Sequence, residues 1–371
     1  MQPGYIGARC LPNCYSALTT HGFRGKANMV YVNDGQSQMK PIKHALWMAL
    51  LLSACGGNPF LPPGDGSGNG PPGTAGGIKG ANDPIQRTEQ VTASGNGYAV
   101  GIALNTGADP LDPADDTFEV DGLAFDGGNV YQPGATIGPF QIYEADSVYQ
   151  DSVTGNNIDQ DLYRAIYGAS TTGKTSFAIV RTGSYIGYGF GGFVYKRTGG
   201  VTLPTSGFAG YTGEYAGLRD FNGVSGLEYT SGQMTLSIDF NDFNNGAGVK
   251  GSVTDRVIYD ATGLDITADI SAAIDAEYGT ALGGAMPVLQ FVVSNALKAS
   301  GEATGTVLSK AGSDTLESGK YYALIANSPG LNAAEVVGVI VVESSDPRGG
   351  AFANVKTRET GGFIVYRSPE P

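Results

Sequence analysis

Histidine, tryptophan and cysteine are scarce in this chain of 371 residues, which holds two, one and three of them. All six stand close to the N-terminus, at His21, His44, Trp47, Cys10, Cys14 and Cys55. The sequence after Cys55 therefore lacks the imidazole and thiol groups that Ser-His-Asp and Cys-His catalysis require. It also lacks the ligands of a His- or Cys-bound zinc site or a His-bound haem, and it cannot form a disulfide. A non-enzymatic role without a cofactor or metal is favoured.

A short export signal is indicated just before Cys55. A basic run (39–44) precedes an apolar run (45–52) that is too short to span a bilayer. Leu52, Ser53, Ala54 and Cys55 then match the lipobox of bacterial lipoproteins, in which the cysteine receives diacylglycerol and palmitate. Small residues let the peptidase reach the backbone, and the thiol is the acyl-transfer nucleophile. The order predicts cleavage before Cys55 and membrane attachment; the alternatives are an ordinary secretory signal or a short buried helix.

This signal divides the N-terminal region into three segments. Residues 1–38 make no sense as an export segment and are expected to be a non-native extension, with Met39 as the true initiator. Residues 39–54 form the signal peptide, and residues 55–87 hold the lipidated cysteine and a linker whose Gly/Pro-rich composition predicts flexibility. Gly56, rather than an acidic residue, favours delivery to the outer membrane. We expect a lipid-anchored protein displayed at the cell surface.

The mature chain is strongly acidic. Of 22 basic and 35 acidic residues, five basic and one acidic lie in residues 1–55, which leaves 17 and 34 and a net charge of −17. This balance disfavours nucleic acid and anionic lipid headgroups as partners. The negative charge suits a soluble domain exposed at a surface, or one that binds a cationic partner.

Short alternating stretches predict an all-β fold. Met234, Leu236, Ile238 and Phe240 share one face of a strand, and a turn at 244–246 leads to a return strand. Nine further strands are predicted, at 98–104, 162–167, 176–180, 193–196, 208–218, 288–293, 321–326, 335–342 and 363–366. One helix is predicted over 270–278, with Asp269 as N-cap and Gly279 after its end.

Strands at this spacing, joined by Gly/Asn turns, favour an antiparallel barrel or sandwich. An internal echo, in which residues 191–197 resemble 361–367, suggests a boundary at about Gly200. We expect a β-rich domain over 88–200 and an eight-stranded barrel over 201–371, which is long enough for it.

Two motifs resemble those of transferrin-binding protein B-like surface lipoproteins. Residues 203–217 resemble the opening of that family's barrel domain, with Gly207, Tyr211 and Gly213 in the motif. Residues 330–340 resemble its near-terminal signature, with Gly330, Ala333, Glu335 and Gly338 in the motif. Leu331 and Val337 replace the usual Pro and Gly, and Ser328-Pro329 replace an aromatic pair.

This resemblance, which covers residues 201–371, implies a lobe made of a handle sheet and an eight-stranded up-and-down barrel outside the outer membrane. Relatives bind host iron-carrier proteins, complement factor H or haem, and often feed a TonB-dependent receptor. Their binding loops vary, so no binding residue carries over. The chain resembles a single lobe, so a monomer is expected and transferrin is not the expected ligand. Glu335, in an apolar strand, is expected to hydrogen-bond to backbone at the barrel end.

Several motifs resemble sites of other proteins without their structural context. Residues 168–175 fit the phosphate-loop pattern, but the following residues predict a strand rather than a helix, so we interpret them as a hairpin turn. Residues 187–194 fit a kinase glycine loop without its catalytic histidine. Residues 104–109 resemble an aspartic-protease loop with Asn105 in place of the aspartate. The acid-rich residues 109–126 fit no calcium loop, and the tyrosine-rich residues 185–195 favour sheet packing over a ligand surface.

Two functions remain open. The first is a surface lipoprotein that binds a ligand or partner protein in the nutrient, iron or haem capture class. The second is a structural or adhesion lipoprotein with no small-molecule ligand. A binding role predicts a concave or loop-presented patch of aromatic side chains beyond the needs of packing, and a structural role predicts a filled barrel with uniformly polar loops.

Overall fold

The computed structural model describes residues 74–77, 79–90, 99, 101–108, 115–123, 128–159, 162–183, 187–240, 248–293 and 297–368. All of them belong to one compact unit, residues 57–371. The export segment and the lipobox residues Leu52, Ser53, Ala54 and Cys55 lie outside the described residues. So do the turn predicted at 244–246 and part of the acid-rich stretch, including Asp109 and Asp112.

The N-terminal part of this unit is an antiparallel nine-stranded sheet, the handle sheet, with the order β1-β2-β11-β10-β9-β6-β5-β4-β3. A separate two-stranded hairpin, β7–β8, lies between β6 and β9 in the chain. The strands are β1 Thr74–Ala75, β2 Ile85–Glu89, β3 Gly101–Asn105, β4 Thr117–Asp121, β5 Val130–Ile137, β6 Phe140–Ala145, β7 Val148–Gln150, β8 Asn157–Asp159, β9 Arg164–Ala169, β10 Thr175–Arg181 and β11 Gly191–Arg197.

The C-terminal part is a closed eight-stranded barrel, in which each strand pairs with the next along the chain and the last pairs with the first. Its elements are β12 Phe208–Phe221, β13 Val224–Asp239, β14 Val249–Tyr259, helix α1 Thr267–Tyr278, β15 Leu289–Phe291, β16 Glu302–Ala311, β17 Asp314–Ser328, β18 Leu331–Ser345, the 3-10 helix Gly350–Phe352 and β19 Lys356–Arg367. The predicted fold class, an antiparallel handle sheet followed by an eight-stranded up-and-down barrel, is confirmed.

Alternation along β13 places its apolar side chains inside the barrel. Met234, Leu236 and Ile238 are buried, whereas Thr235 and Ser237 between them are not. Thr235 faces Ser252 of β14, and their hydroxyl oxygens are 2.9 Å apart on the outer surface. The two-residue period read from the sequence is therefore the inside–outside pattern of a barrel wall.

Helix α1 begins three residues earlier than predicted. Asp269 lies in its first turn, and its side chain makes no capping hydrogen bond. Instead Asp265 Oδ1 accepts a hydrogen bond of 2.9 Å from the backbone N–H of Thr267. The other end matches the prediction, because Gly279 ends the helix with φ 65° and donates from its N–H to Asp275 O at 2.9 Å.

Two segments for which the sequence made a prediction have defined places in the handle sheet. The phosphate-loop-like residues 168–175 form the β9–β10 hairpin, in which Ser176 pairs with Ala169, and this confirms the turn interpretation. In the segment expected to be a linker, Thr74–Ala75 and Ile85–Glu89 form strands β1 and β2. The sheet ends at Arg197 and the barrel begins at Phe208, whereas the domain division at Gly200 remains a prediction.

One face of the handle sheet packs against the outer wall of the barrel. Ile166, Phe177 and Phe193 from the sheet form one apolar core with Leu324 and Val337 from the barrel. The opposite face of the sheet carries a second core that includes Phe118, Tyr131, Tyr143 and Tyr163. The barrel and the sheet are therefore held together over a continuous apolar interface, which fixes the positions of the sites below.

Candidate functional site

The interior of the barrel is filled by its own side chains. Tyr211, Met234, Val253 and Phe363 are buried members of one apolar core inside the wall. Phe291 stacks on the ring of Tyr321 with centroids 3.9 Å apart and an interplanar angle of 8°. A small apolar ligand would have to displace these side chains, so the described barrel interior does not offer a ligand-binding cavity.

A set of buried charges crosses the barrel interior near the β12–β13 turn; we call Arg219, Glu228, Arg256, Glu317 and Glu359 the interior ion cluster. Arg256 Nη2 donates to Glu317 Oε2 at 2.9 Å, and its Nη1 lies 3.5 Å from Glu359 Oε1. Arg219 pairs with Glu228. All five side chains are at most 7 % exposed. Charges so deeply buried persist because each has an opposite partner.

Hydroxyl groups complete this cluster. Tyr215 donates to Glu359 Oε1 at 2.7 Å, and Ser309 donates to Glu317 Oε2 at 2.5 Å. Burial raises the pKa of the Glu359 carboxyl, and the neighbouring Arg256 opposes that rise. Helix α1 covers this end of the barrel, where Ile270 and Ile274 pack on Ile258. The cluster is therefore enclosed, and its geometry supports a structural role.

A second set of buried charges joins the handle sheet to the barrel; we call Glu89, Arg181, Asp220 and Arg358 the interface ion group. Arg181 Nη2 lies 3.1 Å from Glu89 Oε2, and Arg358 Nη2 lies 3.1 Å from Asp220 Oδ2. Arg181 Nε is also 3.6 Å from Asp220 Oδ2 across the interface. The two arginines and two carboxylates thus balance one another where the handle sheet meets the barrel.

Glu335 joins the sheet to the barrel at their other end. Its carboxylate accepts a hydrogen bond of 2.8 Å from the Thr172 hydroxyl and one of 2.9 Å from the Thr175 hydroxyl. Both threonines lie in the β9–β10 hairpin, and Glu335 is fully buried. The prediction that Glu335 hydrogen-bonds to backbone was wrong. The Glu335 side chain lies on the outer face of β18, where its carboxylate meets hydroxyl groups of the handle sheet. The phosphate-loop-like turn thus contributes hydroxyls that hold a carboxylate.

We expect Glu335→Ala to destabilise the body by about 2 kcal/mol, because two charge-assisted hydrogen bonds are lost and the buried hydroxyl of Thr175 loses its acceptor. Hydrogen exchange should rise first in the β9–β10 hairpin. Glu277→Ala on the exposed surface of α1 is the matched control and should change the free energy of unfolding by less than about 0.5 kcal/mol. Equal effects of the two substitutions would show that the Glu335 contacts contribute nothing to the free energy of unfolding.

The other family-motif residues shape the barrel wall and its turns. Tyr211 donates from its hydroxyl to Ala333 O at 2.8 Å inside the barrel. Gly213 lies so close to β19 that a Cβ would stand 2.2 Å from Ile364 O, and Gly338 would place one 2.3 Å from the Phe363 ring. Gly207 and Gly330 adopt φ 90° and φ 80°. The structure thus brings the motif residues into the wall and the turns at one end of the barrel.

A cleft of about 480 Å³ lies where the handle meets the barrel. Ile137, Ile142 and Glu144 line it from the sheet, and Tyr229 and Tyr259 line it from the barrel. The rim carries the ion pair between Arg164 Nε and Glu144 Oε1, at 3.0 Å. The described residues contain no group of three or more His, Cys, Asp or Glu that could hold a metal ion. The tyrosine-rich stretch contributes Tyr195, which is buried in the handle.

The β7–β8 hairpin exposes apolar side chains that no packing requires. Val153 at its tip is 90 % exposed, and Tyr149 is 42 % exposed. Val148, Ile158 and the nearby Leu162 are also exposed. The sequence analysis missed this hairpin, because strands of three residues are too short for alternation to show. The mainly polar residues 151–156, with Gly155 and Asn156 among them, were the available turn signal.

Hydrogen bonds fix the tip of this hairpin. Asp151 Oδ1 accepts from the backbone N–H of Val153 at 3.0 Å and from that of Thr154 at 2.6 Å. The backbone N–H of Gly155 donates to Asp151 O at 2.8 Å. The hydrogen bonds to its carboxylate lower the pKa of Asp151, with the backbone N–H of Thr154 as the largest cause. The turn therefore presents Val153 in a defined conformation, which reduces the entropy lost on docking.

No protein-family model matches the sequence, and no curated protein matches it. Among solved structures, the chain is similar to a double mutant of transferrin-binding protein B from Haemophilus parasuis Hp5, with 10 % identity and a TM-score of 0.34. That match covers 73 % of this chain and 45 % of the other, so this chain spans less than half its length. A surface lipoprotein matches with 11 % identity and a TM-score of 0.27, over 53 % of this chain and 76 % of that one.

A structure of intact Ap transferrin-binding protein B, with N and C lobes, matches with 10 % identity and a TM-score of 0.28, over 78 % of this chain and 61 % of that one. The fold class itself rests on the strand order of the described residues. None of the helices in those residues is long and apolar enough to cross a membrane.

Proposed function

We propose that this protein is a lipoprotein of the outer membrane, anchored by lipid on Cys55, that binds a partner protein at the cell surface without catalysing a reaction. The observation that carries this proposal is the β7–β8 hairpin, a fixed turn that exposes Val153 and Tyr149 beside a filled barrel. Apolar side chains in such a position indicate a protein contact. The lipobox and the family resemblance of residues 203–217 and 330–340 support display at the surface.

Protein capture is favoured over capture of haem or iron because the barrel interior is occupied by buried side chains. A TonB-dependent receptor or an extracellular protein would suit this role. The filled barrel also fits the second function, a structural or adhesion lipoprotein. The exposed hairpin favours protein binding, because it groups Val148, Tyr149, Val153 and Ile158 on one small element, whereas single exposed apolar side chains such as Leu331 are common on protein surfaces.

We expect Val153→Asp to weaken capture of a partner by at least tenfold, because a charge replaces an apolar anchor at the contact. The test uses the body of residues 57–371, exposed separately to detergent-solubilised envelope proteins of its host and to proteins of the growth medium. Leu331→Asp, at a 44 % exposed apolar position on the β17–β18 turn, is the matched control and should leave capture unchanged.

Two results would contradict the proposal. One is the absence of any partner, from either source, whose capture depends on Val153. The other is saturable binding of haem or ferric iron by the wild-type body, which would place function in a small-molecule site. Thermal unfolding of both variants should match the wild type, since both positions are on the surface.

A further inference from the structure

The cleft of about 480 Å³ between the handle sheet and the barrel has an aromatic wall on the barrel side. Tyr229 of β13 and Tyr259 of β14 are direct partners across the strand ladder. Cross-strand partners project to the same face, so both side chains stand on the outer face of the barrel. Tyr229 is buried, whereas Tyr259 is partly exposed and offers ring surface to the cleft. The volume lies within the range of about 300–1,000 Å³ that is usual for small-molecule sites.

The handle sheet supplies the other wall of the cleft and its charged groups. Ile142 and Glu144 are two residues apart on β6, so they share the face of the sheet that meets the barrel. Glu144 Oε1 pairs with Arg164 Nε of β9 at 3.0 Å, and the two side chains are 45 % and 21 % exposed. Burial raises the pKa of Tyr229, and the guanidinium of Arg164 opposes that rise from close by. A carboxylate, a guanidinium and a phenol hydroxyl therefore stand beside an apolar surface.

Local hydrogen bonds fix both walls of the cleft. On the handle side, Gln141 Nε2 donates to Gly134 O at 3.0 Å and holds the end of β5 against β6. On the barrel side, Asp260 Oδ1 accepts hydrogen bonds from the backbone N–H of Thr262 at 2.8 Å and from that of Leu264 at 3.0 Å. Because both walls are already ordered, a ligand loses little binding free energy to ordering of the protein.

The chemistry of the cleft selects its ligand. The charges of Glu144 and Arg164 cancel, so the rim does not favour an ion of either sign. A purely apolar ligand would bury this ion pair and the hydroxyls of Thr136 and Thr262 without hydrogen-bond partners. A neutral ligand with one apolar face and several hydroxyl groups suits both parts of the cleft. A pyranose ring has this character, because its C–H bonds pack on aromatic rings and its hydroxyls bind carboxylate and guanidinium groups.

We propose that the cleft between the handle sheet and the barrel binds a neutral saccharide, with one pyranose ring packed on Tyr259 and its hydroxyls bonded to Glu144 and Arg164. This site goes beyond the proposed function and does not depend on it, because the residues that line the cleft lie outside β7 and β8. The same chemistry accepts a free sugar or the terminal sugar of a glycoprotein.

The test is saturation-transfer NMR with the mature protein purified from its host, in a detergent without a sugar headgroup. The probes are glucose, galactose, mannose, N-acetylglucosamine, maltose and lactose. We expect at least one of them to bind saturably with a Kd of about 1 mM, as suits a ligand of this size, and to receive saturation mainly on the C–H protons of one ring face. The absence of saturable binding by every probe at concentrations up to about 20 mM would overturn the inference.

Substitutions in the cleft place the bound sugar. Tyr259→Ala should weaken binding at least tenfold, because it removes the ring on which the pyranose packs. Tyr149→Ala, at a 42 % exposed tyrosine of the β7–β8 hairpin, is the matched control and should leave binding unchanged. Glu144→Gln keeps the shape of a partly exposed side chain and should weaken binding severalfold, which gives a second readout if Tyr259→Ala does not fold. Wild-type affinity in a folded cleft variant would overturn the inference.

Two further comparisons separate the source of the sugar and the two sites. A glycopeptide that carries the bound sugar should bind at least tenfold more tightly than the free sugar if the ligand is a glycoprotein, and equally if it is the sugar alone; both results support the cleft. Val153→Asp should lose partner capture and keep saccharide binding. Loss of saccharide binding in folded Val153→Asp would overturn this inference, and partner capture without saccharide binding would overturn it while the proposed function stands.

Discussion

Replacement of Arg256 by Gln is expected to lower the free energy of unfolding by about 3–5 kcal/mol, because it leaves buried carboxylates without their partner. Arg256 is fully buried and contacts both Glu317 and Glu359 inside the barrel. The amide of glutamine can donate two hydrogen bonds, but it supplies no positive charge to either carboxylate. Equilibrium unfolding in urea or guanidinium measures the loss.

A matched substitution separates this effect from the general effect of removing a charge from a strand. Lys320→Gln removes a positive charge from an exposed position on β17 and should change stability by less than about 0.5 kcal/mol. The double variant Arg256→Gln with Glu317→Gln should lose less than the sum of its single variants, because it removes a pair together. A loss below about 1 kcal/mol for Arg256→Gln would contradict the structural role of the interior ion cluster.

Replacement of Cys55 by Ala is expected to move the protein from the membrane fraction to the soluble fraction. Alanine keeps the size of the lipobox position nearly unchanged but offers no sulfur for the acyl chain. Without lipid, nothing in the described residues provides a helix that crosses a membrane. Fractionation of host cells, with immunodetection of the body, measures the distribution.

Cys14→Ala provides the control, because Cys14 precedes the export signal and should leave attachment unchanged. If the Cys55→Ala protein stays in the membrane fraction after a high-salt wash, the lipid anchor is not what holds it. If Cys14→Ala is released as well, the N-terminal extension takes part in attachment. Either result would contradict the proposed anchor.

The regular parts of the fold could be predicted because they repeat along the chain. The alternation at Met234, Leu236 and Ile238 identified a barrel wall, since buried and exposed positions exchange at every residue. Gly279 identified the end of α1, since a positive φ favours glycine. The start of α1 was predicted three residues too late, because Asp269 was interpreted as the N-cap, whereas the structure has Ile266 at that position and Asp265 before it binds the backbone N–H of Thr267.

The buried charges could not be predicted from the same pattern. Arg256 and Glu317 are 61 residues apart in sequence, and each looks like a polar residue of an outer face. Their pairing depends on strands that meet only when the barrel closes. Glu335 was expected to bind backbone at the barrel end, but its threonine partners lie 160 and 163 residues away on the handle. The β7–β8 hairpin was missed because its strands are short, whereas its exposure follows only from the packing around it.

We propose that processing at Cys55 produces a lipid-bearing binding body without histidine, tryptophan or a free thiol. The most direct test is the intact mass of the polypeptide extracted from host membranes. We predict the mass of residues 55–371 plus diacylglycerol and palmitate on Cys55. A chain that still carries residues before Cys55, or one that begins at Cys55 without lipid, would contradict the account.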